Sequence, residues 1–315
     1  MSRGGAPDPL TYYASQGPIT DPGPEAGALA GLPGDLRALA RIVQGLVFHY
    51  FADEAIFGWR PPRDRIAEID TRHAWAMLAR LAALDARPLT EPRPPERRLV
   101  GCCRDFTVLL CALARARGIP ARARVGFARY FSPGFHVDHE ILEWWDGGQR
   151  RWRLVDPQLS ERHLAHYRIG FDPFDVPRDQ FLVGGHAWQL CRAGDADPDT
   201  FGLAPELSQP RGLGFVRGHV VQDLAALNKV ELLLWDVWGL MQAEPDAELA
   251  LLDEVAERTQ AADGFADARR LYATPGLAVP GRVRCLSPAI GPHEVALDLD
   301  ASVETGSRRT AGSRW

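Results

Sequence analysis

The sequence is poor in several features, and each shortage excludes a class of protein. It holds 5 cysteines in 315 residues, an odd and small number that argues against a disulfide scaffold and indicates reduced thiols. The 36 basic residues are outnumbered by 41 acidic ones, and the arginine-rich stretches are interleaved with Asp or Glu. Because the net charge is −5 and no basic stripe is present, we expect no nucleic-acid partner.

Long apolar runs are also lacking. No stretch is long enough to span a bilayer, and residues 1–27 do not pair a charged segment with an apolar run as a secretory leader does. We therefore expect no membrane association and a cytoplasmic location. Hydrophobic residues still make up 46% of the chain, which is ample for the buried core of a globular protein.

The sequence pattern divides the chain into four predicted parts. Residues 1–34 hold several Gly and Pro residues and no sustained periodicity, which predicts a loosely structured segment. Residues 35–200 combine helical and strand patterns and are expected to form the core. Residues 201–300 are predicted to be mainly helical and to pack on that core, and residues 301–315 to be a flexible tail.

Helical spacing of apolar residues predicts helices over residues 35–50, 62–84, 220–241 and 246–260. The third of these is strongly apolar and includes two tryptophans, so we expect it to belong to the core. The helix predicted over 62–84 is followed by a connection, residues 85–98, whose four prolines exclude both a helix and a central strand.

Two adjacent cysteines, Cys102 and Cys103, follow this connection. Apolar residues at i, i+3, i+4 and i+7, then a glycine and a proline, predict a helix of about four turns that ends near Gly118. Strand patterns follow over residues 121–131, 139–146 and 151–157, and an Asp-Gly-Gly turn joins the last two. One helix followed by an antiparallel meander is an α+β arrangement.

The position of the cysteine pair favours chemistry. In the first turn of a helix, unpaired N–H groups and the helix dipole stabilise a thiolate, so Cys102 or Cys103 is a candidate nucleophile. A nucleophilic thiolate needs a base, and the base needs a group that orients it. His139 and Asp156 lie on consecutive predicted strands, and a hairpin between those strands would bring the two side chains together.

Three segments of the chain carry a resemblance to a known family. They are GCCRDFTVLLCALARARGIPARARVGF, DHEILEWWD and RWRLVDPQL, and they resemble the Cys, His and Asp motifs of the transglutaminase-like superfamily. The resemblance covers about residues 95–160, and the rest of the chain is similar to a bacterial branch of that superfamily. It implies a papain-like catalytic core within residues 35–200, in which the nucleophile helix packs on an antiparallel sheet and flanking helices are added.

The resemblance also implies roles for single residues. Cys103, as the residue after Gly-Cys at the start of the helix, would be the nucleophile, His139 the base and Asp156 the carboxylate that orients it. Cys102 stands where relatives more often have another residue, and we expect it to be a packing residue. Glu140 replaces a common aromatic residue. No cofactor is expected.

The oxyanion site is harder to predict. The backbone N–H of Cys103 is the natural first donor to the oxyanion that forms when a thiolate attacks a carbonyl. Papain-like enzymes have a glutamine about six residues before the nucleophile, but this chain has Arg97 there. An indole, such as that of Trp59, is a candidate for the second donor.

The predicted reaction is acyl transfer through a thioester, from a peptide or small-molecule acyl donor to an amine. With water as acceptor the same residues would give a hydrolase, namely an amidase, a deamidase or a protease. A catalytically silent binding domain is the alternative of another class. The preference for an amine depends on large rings near the predicted site, which would exclude water or instead pack behind the sheet: Phe127, Tyr130, Phe131, Trp144, Trp145 and Trp152.

Other candidate sites have simpler interpretations. A zinc site built from the cysteine pair with His136 and His139 lacks the usual C-x₂₋₄-C spacing. The acidic stretch over residues 195–206 fits a calcium loop poorly, because Thr200 takes the place of the needed glycine. We expect a packed aromatic corner at His186 and Trp188, and buried apolar roles for the remaining cysteines, Cys111, Cys191 and Cys285.

Overall fold

The structure is a computed structural model that describes residues 8–244, 247–261 and 263–299. Its helices are α1 (Pro9–Ala14), α2 (Leu36–Gln44), α3 (Glu54–Phe57), α4 (Arg63–Ile66), α5 (Ala74–Leu84), α6 (Cys103–Ala116), α7 (Glu161–Tyr167), α8 (Gly184–Ala193), α9 (Leu213–Leu227), α10 (Leu249–Arg258) and α11 (Phe265–Tyr272). Its strands are β1 (Val47–His49), β2 (Leu99–Gly101), β3 (Ala121–Ala128), β4 (His136–Asp146), β5 (Arg151–Val155), β6 (Phe181–Val183), β7 (Phe201–Gly202), β8 (Asp236–Val237), β9 (Arg282–Ser287) and β10 (Gly291–Ala296). The mixed helix and sheet content confirms the coarse fold class.

The strands form three sheets. The main sheet has the order β5-β4-β3-β6, all antiparallel, and β7 pairs with β4 in parallel. β1 and β2 form a short parallel pair in which His49 lies opposite Gly101. β8, β9 and β10 form an antiparallel sheet. The parallel pair joins two segments that are far apart in sequence and places them next to the start of α6.

Helix α6 lies in the centre of the molecule. It begins at Cys103, where the Asp105 carboxylate accepts a hydrogen bond from the backbone N–H of Cys102 at 2.8 Å and so caps the helix. Its apolar residues belong to the same core cluster as Leu142 and Val155 of the main sheet. The buried guanidinium of Arg104 donates to the backbone carbonyls of Thr71, Arg72 and Glu231, which fixes the first turn in place.

Three predicted helices differ from the structure. The helix predicted over residues 62–84 is divided into α4 and α5, with a 3₁₀ helix, Ala67–Asp70, and three residues outside any helix between them. Two others are shorter than their patterns predict. The helix predicted over residues 35–50 ends at Gln44 with Gly45 as its C-cap, and β1 follows. The helix predicted over 220–241 ends at Leu227, before Lys229 adopts φ 62°. Most apolar residues beyond it are buried in a segment without regular secondary structure, which periodicity alone does not distinguish from a buried helix.

The ends of the chain contribute to the fold where they are described. Tyr13 in α1 is buried, and its hydroxyl donates to the carbonyl of Leu227 at 2.9 Å. The hairpin β9–β10 lies near the other end. The predicted flexible tail, residues 301–315, lies outside the described residues, as do residues 1–7, and the division of the chain into four parts stays a prediction.

In the segments that the structure describes, none of the helices combines the length and the apolar character that crossing a membrane requires.

Candidate active site

The structure brings Cys103, His139 and Asp156 together. Cys103 is the first residue of α6, His139 lies on the central strand β4, and Asp156 follows β5 directly. The Nε2 atom of His139 hydrogen-bonds to Oδ2 of Asp156 at 2.8 Å. Cys103 and His139 line a large cavity, and Asp156 lies behind the imidazole.

Asp156 is held by three hydrogen bonds. Besides the bond to His139, its Oδ2 accepts from the hydroxyl of Tyr130 at 2.6 Å and its Oδ1 accepts from the backbone N–H of Gln158 at 3.0 Å. Burial keeps the pKa of Tyr130 well above its usual value, so this hydroxyl stays a donor. The sequence pointed to Tyr130 only as one of several large rings, because nothing local indicates which carboxylate its hydroxyl reaches.

Aromatic rings surround His139, and the charged carboxylate of Asp156 lies beside it. The ring of Phe131 meets it edge-on with centroids 5.0 Å apart, and the ring of Tyr130 does so at 6.1 Å. Burial lowers the pKa of His139, but the negative charge of Asp156 and the bonds to Asp156 and Cys103 outweigh it and raise that pKa to about 10. His139 is therefore an imidazolium near neutral pH.

The two adjacent cysteines are in opposite states. Hydrogen bonding to Cys102, and after it to His139 and His49, holds the pKa of the Cys103 thiol well below its usual value although the thiol is buried. The same bond to Cys103, together with burial, raises the pKa of Cys102 well above its usual value. The lowered pKa favours the thiolate of Cys103, with Cys102 as the neighbouring thiol that donates to it. Cys102 also lines the cavity.

The cavity beside Cys103 has a volume of about 950 Å³. Much of its wall is apolar, and this part includes Phe131, Leu203, Leu207, Phe215, Leu234, Trp235, Met241 and Leu286. Polar side chains in the wall include Asp138, which makes no hydrogen bond to any described residue. Burial and the charge of Cys103 raise the pKa of Asp138 to about 8.

The large rings named from the sequence do not form a tunnel together. Of the six, Phe131 is the one that lines the cavity within the described residues. Trp145 packs on Trp152, and the guanidinium of Arg122 lies 4.1 Å from the ring of Trp152. Phe127 packs on Phe201. The prediction of a ring-lined tunnel is therefore wrong for the tryptophans, which take the alternative role of packing at a distance from the site.

The remaining candidate residues lie away from the cavity or have other partners. Trp59, the candidate indole donor, does not line the cavity and packs edge-on against Phe48 at 4.8 Å. The ring of His136 stacks on Phe201, and buried Trp188 donates to Asp253 at 2.7 Å.

No group of three or more His, Cys, Asp or Glu side chains among the described residues is placed to hold a metal ion.

Glu140, directly after His139, is buried without a partner for its carboxyl group. Neither carboxyl oxygen has a hydrogen-bond partner among the described residues, and burial raises the pKa of Glu140 well above its usual value. The folded state thus keeps a proton that the unfolded chain releases. The stability due to this proton is fully present below the unfolded-chain pKa, about 4.5, and is lost as the pH rises towards the folded-state pKa.

We expect Glu140→Gln to remove this dependence. The difference in unfolding free energy, variant minus wild type, should grow by about 1.4 kcal/mol for each pH unit above the unfolded-chain pKa. Urea unfolding of both proteins between pH 5 and pH 8 measures the difference. If the two stability curves run parallel across this range, Glu140 is ionised in the folded protein and this interpretation is wrong.

A thiolate at the start of a helix, beside an imidazolium that a carboxylate orients, is the arrangement found in cysteine enzymes. Residues 95–157, a fifth of the chain, match the family model described as the transglutaminase-like superfamily. The resemblance predicted from the three motifs is thereby confirmed for this segment, and it supports cysteine-based catalysis in broad terms.

Comparison with whole proteins adds little to this. No curated protein matches the chain. Among solved structures, a protein from Cytophaga hutchinsonii that was proposed to be a cysteine protease is similar, with 17% identity and a TM-score of 0.33. The match covers 49% of this chain and 43% of that chain. This chain therefore spans less than half the length of that structure.

Proposed function

We propose that the protein is a cysteine-dependent acyltransferase that forms a thioester on Cys103 and passes the acyl group to a primary amine. The observation that carries the proposal is the chain of contacts from Cys103 and His139 in the wall of the cavity to Asp156 behind the imidazole. A papain-like core within residues 35–200 is part of the proposal, since α6 and the main sheet supply these three side chains.

The first half of the reaction makes the thioester. The Cys103 thiolate attacks the carbonyl carbon of an amide, ester or thioester, and the carbonyl oxygen becomes an oxyanion. As the C–S bond forms and the oxyanion collapses, the bond to the leaving group breaks and His139 gives that group its proton. The Nδ1 atom of His139 faces Cys103 for this transfer, because Nε2 is bonded to Asp156.

The second half transfers the acyl group. Neutral His139 takes a proton from the acceptor as the acceptor attacks the thioester carbonyl, and the Cys103 thiolate leaves. Asp156 keeps the imidazole in the tautomer that both halves require and stabilises the imidazolium. Each cycle thus returns the thiolate–imidazolium pair to its starting state.

Two features support an amine as the acceptor. The cavity wall is largely apolar, which disfavours water near the thioester. Asp138 in the same wall lies close enough to Cys103 for the thiolate to raise its pKa, although the charge of His139 opposes this rise. A primary amine entering the cavity would supply the missing hydrogen-bond donor to this carboxyl group.

The amine must come from outside the chain. The sequence contains one lysine, Lys229, and its Nζ is already bonded to the carbonyl oxygens of Tyr12, Ser15 and Gln16. Self-modification at lysine is therefore not expected to compete in an assay with added amines.

We expect the acyl-enzyme to react with amines in preference to water. Turnover of a p-nitrophenyl ester should give increasing amounts of amide as millimolar primary amines are added, beyond the uncatalysed amide formation measured with Cys103→Ala, which should equal that of a sample without protein. Product analysis by mass spectrometry measures the ratio of amide to free acid. Release of free acid alone, at a rate that no amine changes, would contradict the transferase and leave a hydrolase.

Asp138→Asn provides a matched variant for the acceptor site. It keeps the shape of the side chain. In an assay at pH 9, where Asp138 with its pKa of about 8 is ionised, we expect it to raise the amine concentration for half-maximal amide formation about tenfold, as for a lost charge-assisted hydrogen bond. Its rate of hydrolysis without amine should stay near that of wild type. Equal half-saturation in both proteins would show that Asp138 does not bind the acceptor.

A further inference from the structure

We propose that His49 is the side-chain donor of the oxyanion site, acting together with the backbone N–H of Cys103. This inference rests on the proposed function, because it concerns the oxyanion that forms when Cys103 attacks a carbonyl. The sequence does not identify the second donor, because Arg97 stands where papain-like enzymes have a glutamine, and Trp59 does not line the cavity.

The fold places His49 beside the nucleophile although 53 positions separate the two residues in the numbering of the chain. In the parallel pair of β1 and β2, His49 lies opposite Gly101, and the backbone N–H of Tyr50 donates to the carbonyl of Gly101 at 2.9 Å. His49 and Cys103 both line the cavity. Hydrogen bonding to His49 is also one of the causes that lower the pKa of Cys103, after Cys102 and His139.

The tautomer of His49 is set by its backbone neighbours. Its Nδ1 accepts hydrogen bonds from the backbone N–H groups of Phe51 at 3.2 Å and Ala52 at 3.1 Å. An imidazole nitrogen that accepts carries no proton, so the proton of the neutral ring is on Nε2. With Nδ1 occupied, Nε2 is the atom through which His49 meets Cys103, and it is a donor.

The two imidazoles at Cys103 therefore have opposite tautomers and different tasks. His139 has Nε2 bonded to Asp156 and presents Nδ1 to the sulfur, so it can give and take a proton. His49 presents Nε2–H, and it has no carboxylate on Nδ1 to support a charged ring. His139 suits acid–base catalysis, whereas His49 suits donation to a developing negative charge.

The ring of His49 is held rigidly, as an oxyanion donor requires. The Asp53 carboxylate accepts from the backbone N–H of His49 at 2.9 Å, and its other oxygen bonds to Nε2 of His163 at 2.9 Å. The ring also stacks on Tyr50, with centroids 5.5 Å apart and an interplanar angle of 12°. A donor fixed before the reaction needs no reorganisation when the charge appears.

Attack by Cys103 on the carbonyl moves electrons onto oxygen and leaves the proton of His49 in place. The C–S bond forms, the carbonyl π electrons move to oxygen, and the oxyanion accepts hydrogen bonds from Cys103 N–H and from His49 Nε2–H. Cys103 is the first residue of α6, so its N–H has no partner within the helix. When the carbonyl re-forms, both donors are released, and His49 has neither gained nor lost a proton.

His49→Asn and His49→Gln form a matched pair for the test. The Asn oxygen can still accept from the backbone of residues 51 and 52, but its side chain is too short to reach Cys103. The Gln nitrogen extends to about the place of the His Nε2 atom. We expect acylation of Cys103 by a p-nitrophenyl ester to fall about 100- to 1000-fold in His49→Asn and to recover at least about tenfold in His49→Gln.

Alkylation by iodoacetamide is the companion measurement, because it consumes the same thiolate without forming an oxyanion. Its rate at the pH plateau, where Cys103 is fully ionised, should stay within about threefold of wild type in both variants. Equal acylation rates in wild type and His49→Asn would overturn the role of His49 alone. If the acylation and alkylation rates fell by the same factor, His49 would act on the Cys103 thiol and not on the oxyanion, which would also overturn the proposal. No acylation of wild type would overturn the proposed function as well.

Discussion

Cys103→Ala is expected to abolish ester turnover, with a loss of about 10⁴-fold or more, whereas Cys102→Ala should keep turnover within about tenfold of wild type. The reason is that hydrogen bonding to Cys102, His139 and His49 keeps the Cys103 thiol at a low pKa. Cys102 is a donor in this group of bonds, and its own pKa is raised. Losing one of several donors weakens the thiolate, but losing the sulfur removes the nucleophile.

Alkylation kinetics provide the measurement for this prediction. At pH 6, iodoacetamide should label Cys103 at least about a hundredfold faster than any other cysteine. Burial raises the pKa of Cys111 to about 12 and those of Cys191 and Cys285 to about 11, so these thiols are almost fully protonated. The Cys103 rate should stay flat between pH 6 and pH 8, while the other rates rise with pH. Faster labelling of Cys102 would reverse the assignment of the nucleophile.

His139→Ala and Asp156→Asn are expected to lower turnover by about 10³- to 10⁵-fold each. The first removes the group that moves the proton. The second keeps the shape of Asp156. Its oxygen stays with the backbone N–H of Gln158, so the new amide N–H takes the place of Oδ2 and turns towards His139 Nε2. This forces the ring proton onto Nδ1, where it faces Cys103 and leaves neutral His139 unable to accept a proton there.

Three comparisons control for structural effects. Tyr130→Phe removes one of the three bonds to Asp156 and should cost about tenfold, far less than Asp156→Asn. His136→Ala should keep wild-type turnover, because His136 bonds to Thr200 and stacks on Phe201. The thermal unfolding midpoints of His139→Ala and Asp156→Asn should stay close to that of wild type although their turnover falls. Wild-type turnover in His139→Ala, with loss in His136→Ala or His166→Ala, would show that the histidine has been misassigned.

The pH profile of acylation follows from the same pair. The active form has both the Cys103 thiolate and the His139 imidazolium, so the rate should be flat around neutral pH. It should fall on the alkaline side as His139 loses its proton near pH 10, since its pKa is raised to about 10.

The sequence was most informative where the structure depends on neighbours along the chain. The helix after the cysteine pair and the strands that carry His139 and Asp156 follow local spacing and turn signals, and the structure has them as α6, β4 and β5. A hairpin pairs residues in a fixed register, so the approach of His139 to Asp156 could be expected from the order of the strands.

What the sequence could not reveal depends on pairing between distant segments. His49 reaches Cys103 through a parallel pair of three-residue strands, and strands this short leave almost no periodic signal. Most apolar residues after Leu227 are buried in a segment without regular secondary structure, and its composition is that of a buried helix. The tryptophans near the hairpin were expected at the site, but which ring faces the cavity is decided by three-dimensional packing alone.

The central claim is that Cys103 carries the acyl group as a thioester. Wild-type protein should be mixed with an activated acyl ester, quenched and digested with trypsin, which releases Leu99–Arg104 with both adjacent cysteines. Fragmentation between Cys102 and Cys103 should place the added acyl mass on Cys103, and hydroxylamine should remove it. An acyl mass found on Cys102 or on another residue, or none at all on wild-type protein, would contradict the account.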